Sequence, residues 1–192
     1  MSRRAARRAA AAVLALAAAG CGGGGTVTLV DATPECHAGR RLAVLAQAVP
    51  TAAYVPCIAD EDSPWRFSSL TVEKGRARLS LVYIDPEGRS ARVQLSRRCD
   101  TSGASEQPPE AGQADVEHYR RASTLSPRLA GLDYAVFEGG CVTTEYDLPR
   151  NADASERLLD LDTTIGLYPR SRLSAELERD FDLELDAPAD AT

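Results

Sequence analysis

His37 stands two residues after Glu35 and directly beside Cys36. An imidazole next to a carboxylate is the smallest arrangement that serves as a general base, because the carboxylate orients the ring and favours its protonated form. Three arginine pairs, Arg40-Arg41, Arg97-Arg98 and Arg120-Arg121, follow along the chain. Converging guanidinium forks bind phosphate or carboxylate. His37, Arg40, Arg41, Arg97 and Arg98 are therefore the candidate ligand-binding residues. The usual catalytic patterns are missing from the sequence: no G-x-S-x-G, S-x-x-K, H-E-x-x-H or P-loop. A His two residues from a Glu in a loop is also an ordinary surface arrangement. Arginine pairs in a chain rich in Asp and Glu are ordinarily weak surface ion pairs. No residue is assigned as catalytic. His118 falls beside Tyr119 in a predicted strand, where packing or exposure is its expected role. Asp60-Glu61-Asp62 lacks the alternating oxygen ligands and central Gly of a calcium loop. No C-x-x-C accompanies the two histidines, so a zinc site is not expected. No metal and no cofactor are expected.

Thiols are the other reactive groups. There are five cysteines, Cys21, Cys36, Cys57, Cys99 and Cys141, and an odd number in an exported chain needs a reason. The N-terminus supplies the export signal. Arg3, Arg4, Arg7 and Arg8 precede an apolar run from Ala9 to Ala19, and Ala18-Ala19-Gly20-Cys21 closes it. A basic region, a short apolar region and small residues mark a secretory signal. The run is about half of the roughly 20 residues that a membrane span requires.

The end of this run resembles the lipobox of bacterial lipoproteins, in which the cysteine after the cut is acylated and becomes the new N-terminus. Small residues at Ala19 and Gly20 fit the pattern. Ala18 stands where leucine is usual, and Leu16 is the nearest leucine, so cleavage after Ala19 is the alternative. The resemblance covers the first 21 residues and implies a lipid-anchored protein on the outer side of the cytoplasmic membrane. It assigns residues 1–20 to the signal, Cys21 to lipidation (palmitate or a related acyl chain) and 21–25 to a Gly-rich tether. Four cysteines then remain, an even set in an oxidising compartment. Of their three possible pairings, proximity in sequence favours Cys36–Cys57 and Cys99–Cys141.

Charge narrows the partners. The formal net charge is −6, and removal of the signal arginines makes the domain more acidic still. Lys74 is the single lysine. Nucleic acid, which wants a basic patch, is excluded as a partner. Binding to anionic headgroups by charge alone is disfavoured as well.

The elements that must position these residues read as follows. Arg66 to Cys99 carries three antiparallel strands by strict period-two alternation: Ala77, Leu79, Leu81 and Tyr83 in one segment, Ala91, Val93 and Leu95 in the next. Lys74-Gly75 and Asp85-Pro86-Glu87-Gly88 supply their turns. Thr26 to Val30 is a short edge strand. Leu42, Leu45, Ala46 and Val49 share one face of a helix from about Gly39 to Val49, which Pro50 stops. Ala53 to Ile58 is extended, with Pro56 arguing for an edge or non-sheet position. Trp65 opens the first long strand as a core residue. The stretch 100–115 has no apolar periodicity and reads as a mobile loop, a solvated insertion.

A second β layer follows, with a strand at Val116 to Thr124, a turn at Ser126-Pro127, and a hairpin about Gly139-Gly140 that places Phe137 opposite Val142. Ala154 to Ile165 is helical, with Leu158, Leu159, Leu161 and Ile165 inward. Gly166 stops it, and a second helix starts near Pro169 with Leu173 and Leu177 inward. Alternation at Phe181, Leu183 and Leu185 predicts a short last strand. Residues 187–192 are a frayed tail.

The expected architecture is α+β: one domain over 26–186, an antiparallel sheet of five or six strands, one N-terminal and two C-terminal helices on one face, and two disulfides. The expected function is that of a non-catalytic envelope lipoprotein, held in the cell membrane by its lipid and presenting an acidic domain to a partner protein or envelope component. The alternatives are an envelope hydrolase with a site near His37 and a small-ligand-binding lipoprotein.

Overall fold

The computed structural model describes residues 26–30, 33–85, 89–110, 113–123, 128–149 and 153–186. The lipobox with Cys21, the tether, the Pro86-Glu87-Gly88 part of one turn, the Ser126-Pro127 turn and the tail 187–192 lie outside them. The elements in chain order are β1 (Val27–Leu29), α1 (Arg40–Ala48), β2 (Tyr54–Ile58), β3 (Trp65–Glu73), β4 (Arg76–Tyr83), β5 (Ser90–Ser96), β6 (Ser105–Gln107), β7 (Glu117–Ser123), β8 (Arg128–Phe137), β9 (Gly140–Pro149), α2 (Ala154–Thr164), β10 (Ile165–Pro169) and α3 (Arg170–Phe181).

Eight strands form one antiparallel sheet in the order β1-β3-β4-β5-β9-β8-β7-β6, and β2 pairs with β10 in a separate ribbon. The α+β class, the β3-β4-β5 meander and the three helices agree with the sequence reading, but the strand count does not. Six of the eight strands are long, and the other two are the three-residue edges β1, within the edge strand expected over Thr26 to Val30, and β6, which was not expected. β6 lies inside the stretch read as a loop. Ser105-Glu106-Gln107 has no apolar alternation and is held through backbone pairing with Arg120, Tyr119 and His118 of β7. The expected second β layer is a continuation of the first sheet. The free edge of β5 takes β9, with Val93 opposite Thr144 and Leu95 opposite Val142.

Local details also shift. The hairpin turn is Glu138-Gly139, so Phe137 faces Gly140 and Ala135 faces Val142. Gly139 has φ +70°, and a Cβ there would sit 1.8 Å from the Thr51 carbonyl oxygen. Only glycine fits that corner. The one-residue shift moves each partner by two positions, so inward residues stay inward. The segment after α3 is not a strand. Asp182 adopts φ +53°, and its amide and that of Leu183 close onto Glu178 and Leu177 carbonyls, a left-handed helix end. Leu159, expected inward, is 62% exposed. α2 ends one residue before the expected Ile165, and the stretch between the two expected helices is the strand β10.

The helices and the ribbon cover one face of the sheet. Leu42, Leu45, Ala46 and Val49 of the α1 region are fully buried, as are Leu173 and Leu177 of α3. Trp65 is buried, and its indole N–H donates to the Arg157 carbonyl at 3.0 Å. Disulfides join Cys36 to Cys57 and Cys99 to Cys141, with Cα separations of 5.0 and 6.1 Å. The first ties the entry to α1 onto β2. The second ties the exit of β5 to the start of β9.

Candidate functional site

The sheet's register builds the site. One row of facing residues runs Leu70, Leu79, Val93, Thr144, Asp133, Arg120 from β3 to β7. The next runs Val72, Ala77, Leu95, Val142, Ala135, His118. Each row is apolar under α1 and α3; the first turns polar from Thr144 of β9 onward, the second only at His118 of β7. Buried charge demands a partner, and here Arg120 meets it. Its Nε and Nη2 donate to the two carboxylate oxygens of Asp133, both at 2.7 Å, and Nη2 also reaches Asp162 of α2 at 3.4 Å. The hydrogen-bonded Asp133 carboxylate holds the guanidinium above its ordinary pKa. Burial, then the negative charge of Asp133, push the Asp162 carboxyl up to about 6. Solvent screens part of that, since 40% of the Asp162 side chain is exposed.

A cavity of about 80 Å³ opens beside this pair. Its floor is His118, Asp133, Ala135, Val142 and Thr144 of the sheet. Ile165 and Leu167 of β10 and Asp162 of α2 wall it, and Glu110 and Gln113 form its rim. The segment 100–115 thus contributes directly to the cavity. Its far end is fixed by the Tyr54 hydroxyl, which donates to both oxygens of Asp115 at 2.8 and 2.9 Å. His118 Nδ1 lies 3.8 Å from a Glu110 carboxylate oxygen. Behind the Arg120–Asp133 pair, the buried Tyr146 ring lies across Gly131, where any Cβ would meet the Tyr146 oxygen at 2.4 Å. Burial, then Asp133, push the Tyr146 hydroxyl up to about 12.

The residues singled out in the sequence lie elsewhere. His37 contacts Glu35 at 3.3 Å, but its side chain is 67% exposed, in a shallow hollow with Arg40 and Arg41 at the start of α1. Arg97 and Arg98 are exposed beyond Ser96. Ser96 pairs with Arg76 and Cys141 at the end of the sheet that receives the C-terminus of α1, where the Gly75 amide donates to the Ala48 carbonyl. The two arginine pairs therefore flank opposite ends of a nine-residue helix, about 13 Å long, and do not converge. Arg120, from the third pair, does enter a site, with carboxylates of the chain itself. No protein-family model, curated protein or solved structure matches this chain.

Sequence reasoning passed over Asp133, Asp162, Gln113 and Tyr146 and left His118 as a packed or exposed residue. One signal was available. Asp133 alternates on the inward face with Ala135 and Phe137, and a carboxylate at an inward position needs an ion or a hydrogen-bond partner.

A second concavity, of about 660 Å³, is apolar. Val27 and Val72 of the sheet edge, Ala43, Val44 and Ala48 of α1, and Leu177, Leu183 and Leu185 line it, with Arg40, Glu73, Lys74 and Glu184 among the polar residues. Val27 is 51%, Val44 38% and Leu183 39% exposed. Among the described residues, no helix is long and apolar enough to cross a membrane.

Proposed function

We propose that this protein is a non-catalytic, lipid-anchored envelope protein whose apolar groove receives an apolar juxtamembrane segment of a membrane-bound partner. The groove carries the reading. Its three walls are helix, sheet edge and the segment after α3, the shape that takes an amphipathic segment side-on. Exposed Val27, Val44 and Leu183 face water in the free protein, which is the mark of a recognition surface when such residues are contiguous. Its position fits a partner in the same membrane. Val27 stands six residues after Cys21, a reach of at most about 20 Å for extended chain. A groove that close to a lipidated Cys21 meets the first turns of a membrane protein as they leave the bilayer.

A second reading has its own support. A volume of about 660 Å³ falls inside the roughly 300–1,000 Å³ range of ligand clefts, so an apolar small molecule also fits the groove.

The test is a photo-crosslinking amino acid at the position of Val44 or Leu183, in the full chain, in native membranes. One discrete protein adduct, formed from position 183 and lost when Val44→Glu is added, supports the partner reading. An adduct extractable into organic solvent supports the ligand reading. Fractionation of Cys21→Ser tests the anchor separately, since a wild type as soluble as the variant overturns the lipid attachment. No adduct from either position, with the anchor intact, overturns both uses of the groove.

A further inference from the structure

We infer that the polar cavity between β7–β9 and the α2–β10 junction binds a primary ammonium group. The inference is independent of the groove.

Three observations meet there. The first is charge. Glu110, Asp133 and Asp162 bring three carboxylates to the cavity, and Arg120, already bidentate on Asp133, brings one guanidinium. The balance calls for a further cation. The second is hydrogen bonding. Two side-chain atoms of the lining, His118 Nε2 and Gln113 Oε1, are buried and have no partner among the described residues. With the imidazole proton assigned to Nδ1, which faces Glu110, Nε2 is an acceptor like Gln113 Oε1. Acceptors around an unbalanced negative site want N–H donors, and an ammonium supplies three on one charge. The third is size. About 80 Å³ holds an aminomethyl head but not a whole metabolite of ordinary size. Hard divalent ions fit less well. They take six or more oxygen ligands, or a tight octahedron, whereas no metal-holding group of three His, Cys, Asp or Glu side chains exists among the described residues. A ligand would therefore be an amine whose head enters the cavity and whose body lies outside, past Glu110 and Asp162.

The groups that set the pH dependence are Glu110, Asp133, Arg120, His118, Tyr146 and Asp162. Ionisation of Asp162 strengthens binding as pH rises through about 6.

The probe is methylammonium chloride, titrated into the soluble chain lacking residues 1–20, with the histidine ring resonances read by NMR. Tetramethylammonium chloride at equal ionic strength is the control, because it carries charge without N–H donors. The expected result is a saturable shift of the His118 resonances with methylammonium, in the millimolar range appropriate to so small a ligand. Tetramethylammonium should produce none, and methylammonium binding should weaken severalfold in Asp162→Asn. Gln113→Ala, at the rim, gives a second variant whose binding should weaken while its melting temperature stays unchanged. Equal shifts from the two salts would show ionic strength alone and overturn the proposal. So would no shift with methylammonium in a folded protein, or full binding in both variants.

Discussion

Two halves of one sheet face are built by opposite means. Under α1 and α3 the face is Leu70, Leu79, Leu81, Val93 and Leu95, all at most 1% exposed. Its stability comes from excluding water, which is non-directional and scales with buried apolar area. Toward β7 the same rows carry Asp133 and Arg120, partly exposed and held to each other by directional hydrogen bonds, and His118, partly exposed beside Glu110. Such contacts contribute little net stability but fix geometry. The stable half is the platform, and the polar half is where a cavity survives.

The Cys99–Cys141 bond sits on the boundary between these halves, and the disulfides give the largest expected effect. Chain-entropy estimates for separations of 21 and 42 residues are roughly 3 and 4 kcal/mol. Reduction of both should lower the melting temperature by roughly 15–25 °C at this chain size. Calorimetry with and without reductant checks it. A shift of a degree or two would mean that the sheet does not depend on its staples. Removal of Cys99–Cys141 alone should accelerate hydrogen exchange in β7–β9 more than in β3–β5. Uniform acceleration would mean that the halves open as one unit.

Next in size is Leu79→Ala, in the apolar half. It leaves a void in a fully packed site and should cost about 2–5 kcal/mol in urea unfolding. Asp133→Ala, in the polar half of the same row, removes the bidentate partner of Arg120. Because Arg120 remains 35% exposed, water rescues part of the loss, and the cost should be about 1–2 kcal/mol. If the order of these two reversed, the polar half would be the structural one.

The smallest effect is a pH slope. Asp162 has its folded pKa raised from 3.8 to about 6. The folded chain therefore binds a proton more tightly than the unfolded chain, and stability falls as pH rises between those values. Asp162→Asn should remove that slope, worth about 1 kcal/mol after screening. Unfolding curves at pH 4 and pH 7 for both forms measure it, and an unchanged slope would assign the decline to another group.

Alternation made β4 and β5 legible because each is half-buried along its length, and a period of two is then forced on the residues themselves, whereas in β3 a register shift between Phe67 and Ser69 interrupts the period. β6 and β10 were not legible. Ser105-Glu106-Gln107 is a strand because β7 offers its backbone, and Ile165–Pro169 because β2 does. Neither segment carries the pattern of its environment, since an edge pairing constrains backbone rather than side chains. The hairpin was placed one residue late because Gly139 and Gly140 look alike in sequence. The Thr51 carbonyl packed at 1.8 Å from a would-be Cβ distinguishes them.

By itself the sequence determined the α+β class, the long strands, and the faces of α1 and α3, all consequences of short-range pattern and spacing, and it favoured the disulfide pairing that the structure shows. The tertiary structure alone decided that β5 pairs with β9 and that Asp162 of α2 reaches Arg120. It also brought Glu110 and Gln113 over His118. Those contacts join residues as much as 55 positions apart, between Ala91 and Tyr146. Nothing local in either segment encodes the other, because their meeting is a property of the order in which strands close the sheet.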